Sequence, residues 1–397
     1  MHTTPASMRK QVIIVGNTNS GKSALFNALC GQDRSIVSGQ PGTTTDPVQT
    51  TMELIPFGPI VLIDSAGLND QSALGNERIR KTIMVQRRAD AAIYAADPLD
   101  FNRDDYHVFR KREMPHILVF SKADMLEEMT REALMQEYPH AVLVSSKTGT
   151  GIKALQETVA ALLSVQHPDE ESLIRGLLSA GDTAIMVVPA DSEAPKGRLI
   201  LPQAAVLRDC LDHNIKTLVC RETELEQALE ELKKTDLVIT DSQIFGFVNR
   251  ILPREIPLTS FSMLFARQKG NFTQLVKGAE ILRTLPDGGE VLMLEGCTHN
   301  HTHEDIGRMQ IPDLLRKKTG KSLRFHFYSG YDFPEALSPY CLAIQCGCCM
   351  LNKREVGFRL AALERLGIPA TNYGMVLAWA YDILDRSLEI FRIPAAR

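Results

Sequence analysis

Val12-Ile13-Ile14-Val15-Gly16-Asn17-Thr18-Asn19-Ser20-Gly21-Lys22-Ser23-Ala24-Leu25-Phe26-Asn27-Ala28-Leu29 decides the fold of the first part of this chain. Val12–Val15 is a short, apolar, β-branched run that reads as a buried strand, and Ala24–Leu29 reads as the start of a helix. Between them stands GxxxxGKS, in the strand–turn–helix setting that separates a phosphate-binding loop from a chance Gly/Ser turn. Glycines let the backbone wrap phosphates so that its N–H groups point inward. Gly16, Asn17, Asn19, Ser20 and Gly21 therefore form the expected cradle, with Lys22, Ser23 and Ala24 opening the helix behind it. Lys22 is placed to reach the β- and γ-phosphates, and the Ser23 hydroxyl to bind Mg²⁺.

Three further strand ends carry matching chemistry. Val61-Leu62-Ile63 runs into Asp64-Ser65-Ala66-Gly67, where Asp64 can hold the Mg²⁺ shell and Gly67 can give its N–H to a γ-phosphate. Ile117–Phe120 runs into Ser121-Lys122-Ala123-Asp124. An aspartate there accepts N1–H and the 2-amino group of guanine, neither of which adenine offers. Val142–Val144 leads into Ser145-Ser146-Lys147. Each motif is weak alone; four in order, each at a strand's carboxyl end, fit the ligand rule for open α/β sheets.

This order resembles the translation-factor-like small GTPases, especially their TrmE/Era branch. Gly42-Thr43-Thr44-Thr45-Asp46 is similar to that branch's switch I. The resemblance implies that Thr44 joins Mg²⁺ and the γ-phosphate, beside Lys22, Asp64 and Gly67 in the catalytic set. Ser121 stands where the branch has Asn, which is expected to loosen the base pocket while Asp124 keeps the discriminator; Thr45 stands where it has Arg. Leu68 follows Gly67 where Ras-like proteins place a water-orienting Gln, so slow intrinsic hydrolysis is expected. In the branch an Asn of the P-loop binds K⁺, and Asn19 matches it; a plain turn residue accounts for Asn19 equally well.

At 397 residues the chain has room for two to three domains of about 150 residues. Hydrophobic residues are 44% and charged ones 23%, which excludes a disordered or collagen-like chain. A formal charge of −4 argues against a protein whose main work is coating nucleic acid, and no nucleic-acid partner is expected. No stretch approaches the ~20 apolar residues of a membrane helix, and Met1–Gln11 has no signal-peptide core. A soluble, cytoplasmic chain is the expectation.

Gln166–Ser172 is polar and contains Pro168, and reads as a linker. Strands are expected at Thr183–Val188, Lys216–Cys220, Leu237–Thr240 and Leu258–Phe261, with helices at Leu201–Leu211 and Glu222–Lys234. The expected architecture is α/β throughout: a P-loop domain over 1–165, then two further α/β domains with largely parallel sheets, over 175–262 and 263–397. The middle one carries no catalytic motif, and Cys210 and Cys220 read as core thiols. An assembly surface suits it.

Eight cysteines are too few for a disulfide scaffold, but five of them, Cys297, Cys341, Cys346, Cys348 and Cys349, crowd the C-terminal part. The strand-like Val291–Leu294 ends in Glu295-Gly296-Cys297-Thr298-His299-Asn300-His301-Thr302-His303-Glu304, and Cys341–Ile344 ends in Gln345-Cys346-Gly347-Cys348-Cys349, with Leu323–Tyr328 between. If the two strands are parallel neighbours, their ends lie one interstrand spacing apart. Cys297, Cys346 and Cys349 with one flexible fourth ligand suit tetrahedral zinc or a 4Fe–4S cluster with one labile iron, and spacing does not separate them. His299, His301, His303, Glu304 and Cys348 compete for the fourth place; Cys341, inside a strand, reads as core.

Taken whole, the chain resembles the HydF-type GTPases that mature FeFe-hydrogenases. The resemblance rests on the TrmE-like first domain, on Asp191-Ser-Glu-Ala-Pro-Lys-Gly-Arg-Leu-Ile-Leu-Pro202, and on Cys297-x-His299 followed by Cys346-x-x-Cys349, and it spans essentially all 397 residues. Gln345 and Cys348 stand where the family often has His and Gly. The resemblance implies a carrier binding a 4Fe–4S cluster through Cys297, Cys346 and Cys349, with His299 or Glu304 as candidate fourth ligand. It further implies a two-iron precursor as cargo, radical-SAM maturation enzymes and apo FeFe-hydrogenase as partners, and a homodimer formed through the middle domain. The main rival is an RNA-acting TrmE/Era-like GTPase with a structural zinc site. It needs a basic module, and only Arg316-Lys317-Lys318-Thr319-Gly320-Lys321 is notably basic, a run that reads as a solvated helix end.

Overall fold

Val12–Val15 and Ala91–Ala96 are apolar at every position because both faces of their sheet are covered. The computed structural model describes residues 9–31, 47–65, 75–111, 114–165, 172–189, 199–296 and 306–391, with the backbone alone for 75–81. The chain divides into two compact units, Met1–Pro168 and Asp169–Arg397. In the first, six strands, β1 (Lys10–Val15), β2 (Val48–Leu54), β3 (Gly58–Asp64), β4 (Ala91–Ala96), β5 (His116–Phe120) and β6 (Val142–Leu143), lie in the order β2-β3-β1-β4-β5-β6. All pairings are parallel except β2 with β3. The edge strand β2 escapes a reading of apolar runs because Val48-Gln49-Thr50-Thr51-Met52-Glu53 is largely exposed.

The helices Lys22–Cys30 and Ile152–Ser164 cover one face through Leu25, Phe26, Leu29, Leu155 and Val159. The helix Arg103–Arg110 brings Tyr106 and Phe109 to the other, where Tyr94, Phe101, Phe120 and Tyr138 complete a ring cluster. From β1 the chain turns to one side of the sheet for β2 and β3, then crosses for β4. The crevice between the carboxyl ends of β1 and β4 is thus the ligand position of such sheets.

The second unit holds two four-stranded, all-parallel sheets. β7 (Thr183–Val187), β8 (Lys216–Cys220), β9 (Leu237–Thr240) and β10 (Leu258–Ser260) run in the order β10-β9-β7-β8. β11 (Glu290–Glu295), β12 (Arg324–Ser329), β13 (Tyr340–Gln345) and β14 (Ala370–Asn372) run in the order β12-β11-β13-β14. The expected class, a P-loop domain and two further α/β layers with largely parallel sheets, is the one formed. The two later layers share one apolar core, in which Ile185, Val238 and Phe245 join Val291, Met293, Ile344 and Val376.

The two sheets have the same topology and repeat in detail. Ile256-Pro257-Leu258-Thr259-Ser260-Phe261-Ser262-Met263 returns as Ile368-Pro369-Ala370-Thr371-Asn372-Tyr373-Gly374-Met375. In each, the threonine hydroxyl faces the methionine sulfur four residues on, at 3.8 and 3.6 Å. In each, the next side chain caps the following helix, Ser260 accepting from Met263 N–H at 3.3 Å and Asn372 from Met375 N–H at 2.9 Å. Those helices are Phe261–Lys269 and Tyr373–Ala380. Ser260's capping role ends β10 one residue before the expected strand does, and residue 263 falls inside the first of these helices.

Elsewhere the differences from expectation are local. Glu222–Lys234, expected as one helix, is a 3₁₀ turn Glu222–Glu224 followed by the helix Leu225–Glu231, because Glu224 turns back to accept from Arg221 N–H at 2.9 Å. Cys210 is buried as expected, but Cys220 is only half-buried because β8 is an edge strand. Cys341 is likewise half-buried. The basic run closes the helix Ile311–Thr319. Gly320, at φ 68°, ends it, and Lys318 Nζ donates to the carbonyls of Trp379 and Ala380 at 2.8 and 2.9 Å. Among the described residues no helix is long and apolar enough to cross a membrane.

Candidate functional site

The phosphate loop sits in the β1/β4 crevice, and its glycines are there for contact reasons. A Cβ at Gly16 would lie 2.1 Å from Ala95 O, and Gly21 has φ 82°. The helix Lys22–Cys30 begins directly after, with no side chain capping its first N–H groups, an arrangement ready for an anion. Lys22 is buried, and its Nζ donates to Asn17 O at 2.6 Å. Burial lowers its pKa, opposed by the Asp64 charge. Ser23 Oγ donates to Asp64 Oδ2 at 2.7 Å. Burial raises the Asp64 pKa against that bond and the Lys22 charge. Asp64 Oδ1 and Ser20 Oγ are buried with no hydrogen-bond partner among the described residues. A hydroxyl and a carboxylate with one orphaned oxygen are hard donors of the kind Mg²⁺ takes together with water and phosphate.

The base end is tied to the phosphate end. Ser121 Oγ lies 2.8 Å from Ser20 O and 3.2 Å from Ala96 O, so serine still links this motif to the P-loop backbone. Lys122, at φ 54°, pairs with Asp97 at 2.6 Å. Asp124 is exposed and accepts from Ser145 Oγ at 2.6 Å, a bond that holds its carboxyl below the usual range. Ser145 is buried, Ser146 half-buried and Lys147 exposed at the same rim. Asn17, Thr18, Asn19 and Ser20 line a small cavity together with Asp97, Asp100, Phe101 and Asn102. Asn19 has φ 65°, a left-handed conformation that asparagine tolerates, and its side chain is exposed. Thr44 and Gly67 lie outside the described residues, as does Leu68.

The cysteine loop occupies the equivalent crevice in the last sheet, between β11 and β13, where the strand order reverses. Leu294 pairs with Gln345, and Cys346 N–H donates to Leu294 O at 2.9 Å. Gly296 and Cys346 are therefore neighbours, and Cys297 follows directly. Cys346 Sγ accepts from Gly296 N–H at 3.0 Å and from Cys348 N–H at 3.3 Å. The neighbouring Cys348 side chain, with those two N–H groups, outweighs burial and brings the Cys346 pKa down to about 7. Among the described thiols Cys346 is thus the best prepared to ligate a metal. Cys349 is pushed up to about 11 by burial. Cys348 is buried at φ 52°, a left-handed position that glycine fills without strain, and its Sγ donates to Cys346 O at 3.3 Å.

Cys297, His299 and Glu304 lie outside the described residues, as do His301 and His303, and among the described residues no three donor side chains converge on a metal position. The flanks of 297–305 are pinned together: Arg308 Nη2 donates to Glu295 Oε2 at 3.0 Å, and Ser329 Oγ to the same oxygen at 2.7 Å. Gln345 is buried, with Oε1 unpartnered among the described residues, and so is Arg359 Nη1. Sequence reading passed over Arg308, Arg359 and Lys269, since a cation in a helix reads as solvated until its neighbours from distant strands are known.

Residues 173–270 match the family model of the hydrogen maturase F dimerization domain, and residues 273–390 that of the hydrogen maturase F tetramerization domain. The chain belongs to the hydrogen maturase F family. Residues 11–122 match the 50S ribosome-binding GTPase family, so a GTPase domain stands ahead of the two hydrogen maturase F assembly domains. Its first domain is similar to tRNA modification GTPase MnmE of Treponema denticola, at 32% identity over 166 residues, 39% of this chain and 35% of that one. GTPase Der of Kosmotoga olearia is 33% identical over 190 residues, 43% of this chain and 42% of that one. The chain thus spans less than half the length of these curated relatives. The G domain of the T. maritima FeoB iron transporter is 28% identical, with a TM-score of 0.32, over 39% of this chain and 99% of that one.

Proposed function

We propose that this chain is a GTP-hydrolysing scaffold that holds a 4Fe–4S cluster and a two-iron cargo, and passes the cargo to apo FeFe-hydrogenase. The observation that carries the reading is the pairing of β11 with β13, which sets Gly296, the residue before Cys297, against a Cys346 whose thiol is lowered to about 7. Cys297, Cys346 and Cys349 would hold the cluster, with His299 or Glu304 as candidate fourth ligand. Bound there, it would supply an iron with an exchangeable coordination place, the chemistry a carrier needs. Radical-SAM maturation enzymes would supply the cargo, a homodimer would form through the middle domain, and a reducing cytoplasm suits the free thiols.

At the other site Lys22, Ser23, Thr44, Asp64 and Gly67 would bind and polarise Mg²⁺-GTP, with Lys122, Asp124 and Ser145–Lys147 around guanine. With Leu68 in place of a water-orienting Gln, turnover would be slow, and Asn19 would bind an activating K⁺. Phosphate release is expected to be faster in K⁺ than in Na⁺ at equal ionic strength; equal rates would retire that role for Asn19.

The experiment is anaerobic reconstitution with iron and sulfide, followed by metal counting, EPR of the reduced protein and activation of apo-hydrogenase. About four irons per chain, a reduced-cluster signal missing in Cys297→Ser, and hydrogenase activation are the expected results. Tightly bound zinc with no stable iron would overturn the reading.

A further inference from the structure

The cysteine loop is held from outside its own half. Lys269 ends the helix Phe261–Lys269 and falls in the stretch that matches the dimerization domain. It is 7% exposed. Its Nζ donates to the carbonyl oxygens of Cys348 at 3.0 Å, Cys349 at 3.1 Å and Leu351 at 2.6 Å. An ammonium has three donors, and all three are spent on one turn. The Phe265 ring lies 5.0 Å away. Among the described residues no carboxylate pairs with Lys269, so its charge is solvated by carbonyls but not neutralised.

The internal repeat separates scaffold from site. Thr259, Met263 and Ala266 return as Thr371, Met375 and Ala378, and these serve packing in both halves. The counterpart of Lys269 is Tyr381, which is 37% exposed. The shared scaffold therefore does not call for a buried cation at this place. A second contact leads to the same loop: a Cβ on Gly347 would lie 3.4 Å from Ser262 Cα, and Asn372 Nδ2 donates to Ser262 O and Oγ, each at 3.1 Å.

We propose that Lys269 is a positioning residue for the metal centre: it fixes the turn Cys348–Leu351 from the neighbouring half and supplies the positive charge that offsets metal-bound thiolates. This rests on the reading of Cys346 and Cys349 as ligands. The test compares full-length wild type, Lys269→Met and Lys269→Arg after anaerobic reconstitution. Iron per chain, the rate of iron loss to a ferrous chelator, and the midpoint potential from an EPR-monitored redox titration are measured. Lys269→Met is expected to lose iron about ten- to hundredfold faster, as for other lost supports of metal ligands, and to shift the potential to more negative values. Lys269→Arg keeps the charge but not the geometry, so faster iron loss at wild-type potential is expected. Lys269→Met with wild-type retention and potential would overturn the proposal, as would Lys269→Arg shifted as far as Lys269→Met. If Lys269→Met does not fold, Lys269→Arg decides by the same criterion of retention against potential. A wild type that takes up no iron overturns the cluster reading itself, and is told apart by that first count.

Discussion

Lys22→Ala is expected to abolish GTP turnover while leaving iron loading intact. The Lys22 ammonium is buried under the phosphate loop and tethered to Asn17 O at 2.6 Å, so it is already held where phosphate charge would gather. Removing one such preorganised donor costs about a hundred- to a thousandfold in rate where charge develops in a transition state. The fold should tolerate the loss. The sheet core around Lys22 is built by Val12, Ile14, Leu25 and Ile93, and the cysteine loop belongs to the other compact unit. Phosphate release under saturating Mg²⁺-GTP and iron per chain after reconstitution are the paired measurements. Equal loss of both would mean that the substitution damages folding, and the separation of two sites would fall with it.

What was legible in the sequence follows from how local the cause is. The P-loop could be read because strand, glycine loop and helix are contiguous, and Gly16 is dictated by the approach of Ala95 O. The adjacency of the two cysteine segments was an inference from their places past strand ends, and β11 and β13 are indeed parallel neighbours. The edge strand β2 was not legible, because its exposed Gln49, Thr51 and Glu53 carry no apolar signal. Nor was the repeat: it lives in register and capping, and only the Ile-Pro-x-Thr run with its methionine survives in sequence. Nor was the reach of the Ser121 hydroxyl to the backbone of the P-loop, 101 residues earlier. Lys269 was invisible for the same reason, since its acceptors are carbonyls some eighty residues further on.

Cys346→Ser should be the most damaging single change at the metal site, and a comparison within the same segment makes the effect interpretable. Among the described thiols Cys346 is the one whose pKa is lowered, to about 7, by the neighbouring Cys348 side chain and by the N–H groups of Gly296 and Cys348 that donate to its sulfur. A serine hydroxyl at this place can accept the same bonds but does not ionise near neutrality, and its oxygen is a poor partner for a soft metal. Iron content is expected to fall to background, with GTP turnover unchanged and the apo-protein's Tm within about 3 °C of wild type. Cys341→Ser makes the same sulfur-to-oxygen exchange five residues earlier, where the thiol only donates to Glu290 O at 3.3 Å, and it should load iron like wild type. If both serine variants load iron, Cys346 is not a ligand and the site must be sought elsewhere. If both fail, the strand that carries them has been disturbed, and the lowered thiol is not what sets the site. Failure of Cys346→Ser alone ties iron binding to a sulfur that the backbone of two neighbouring strand ends has prepared to be a thiolate.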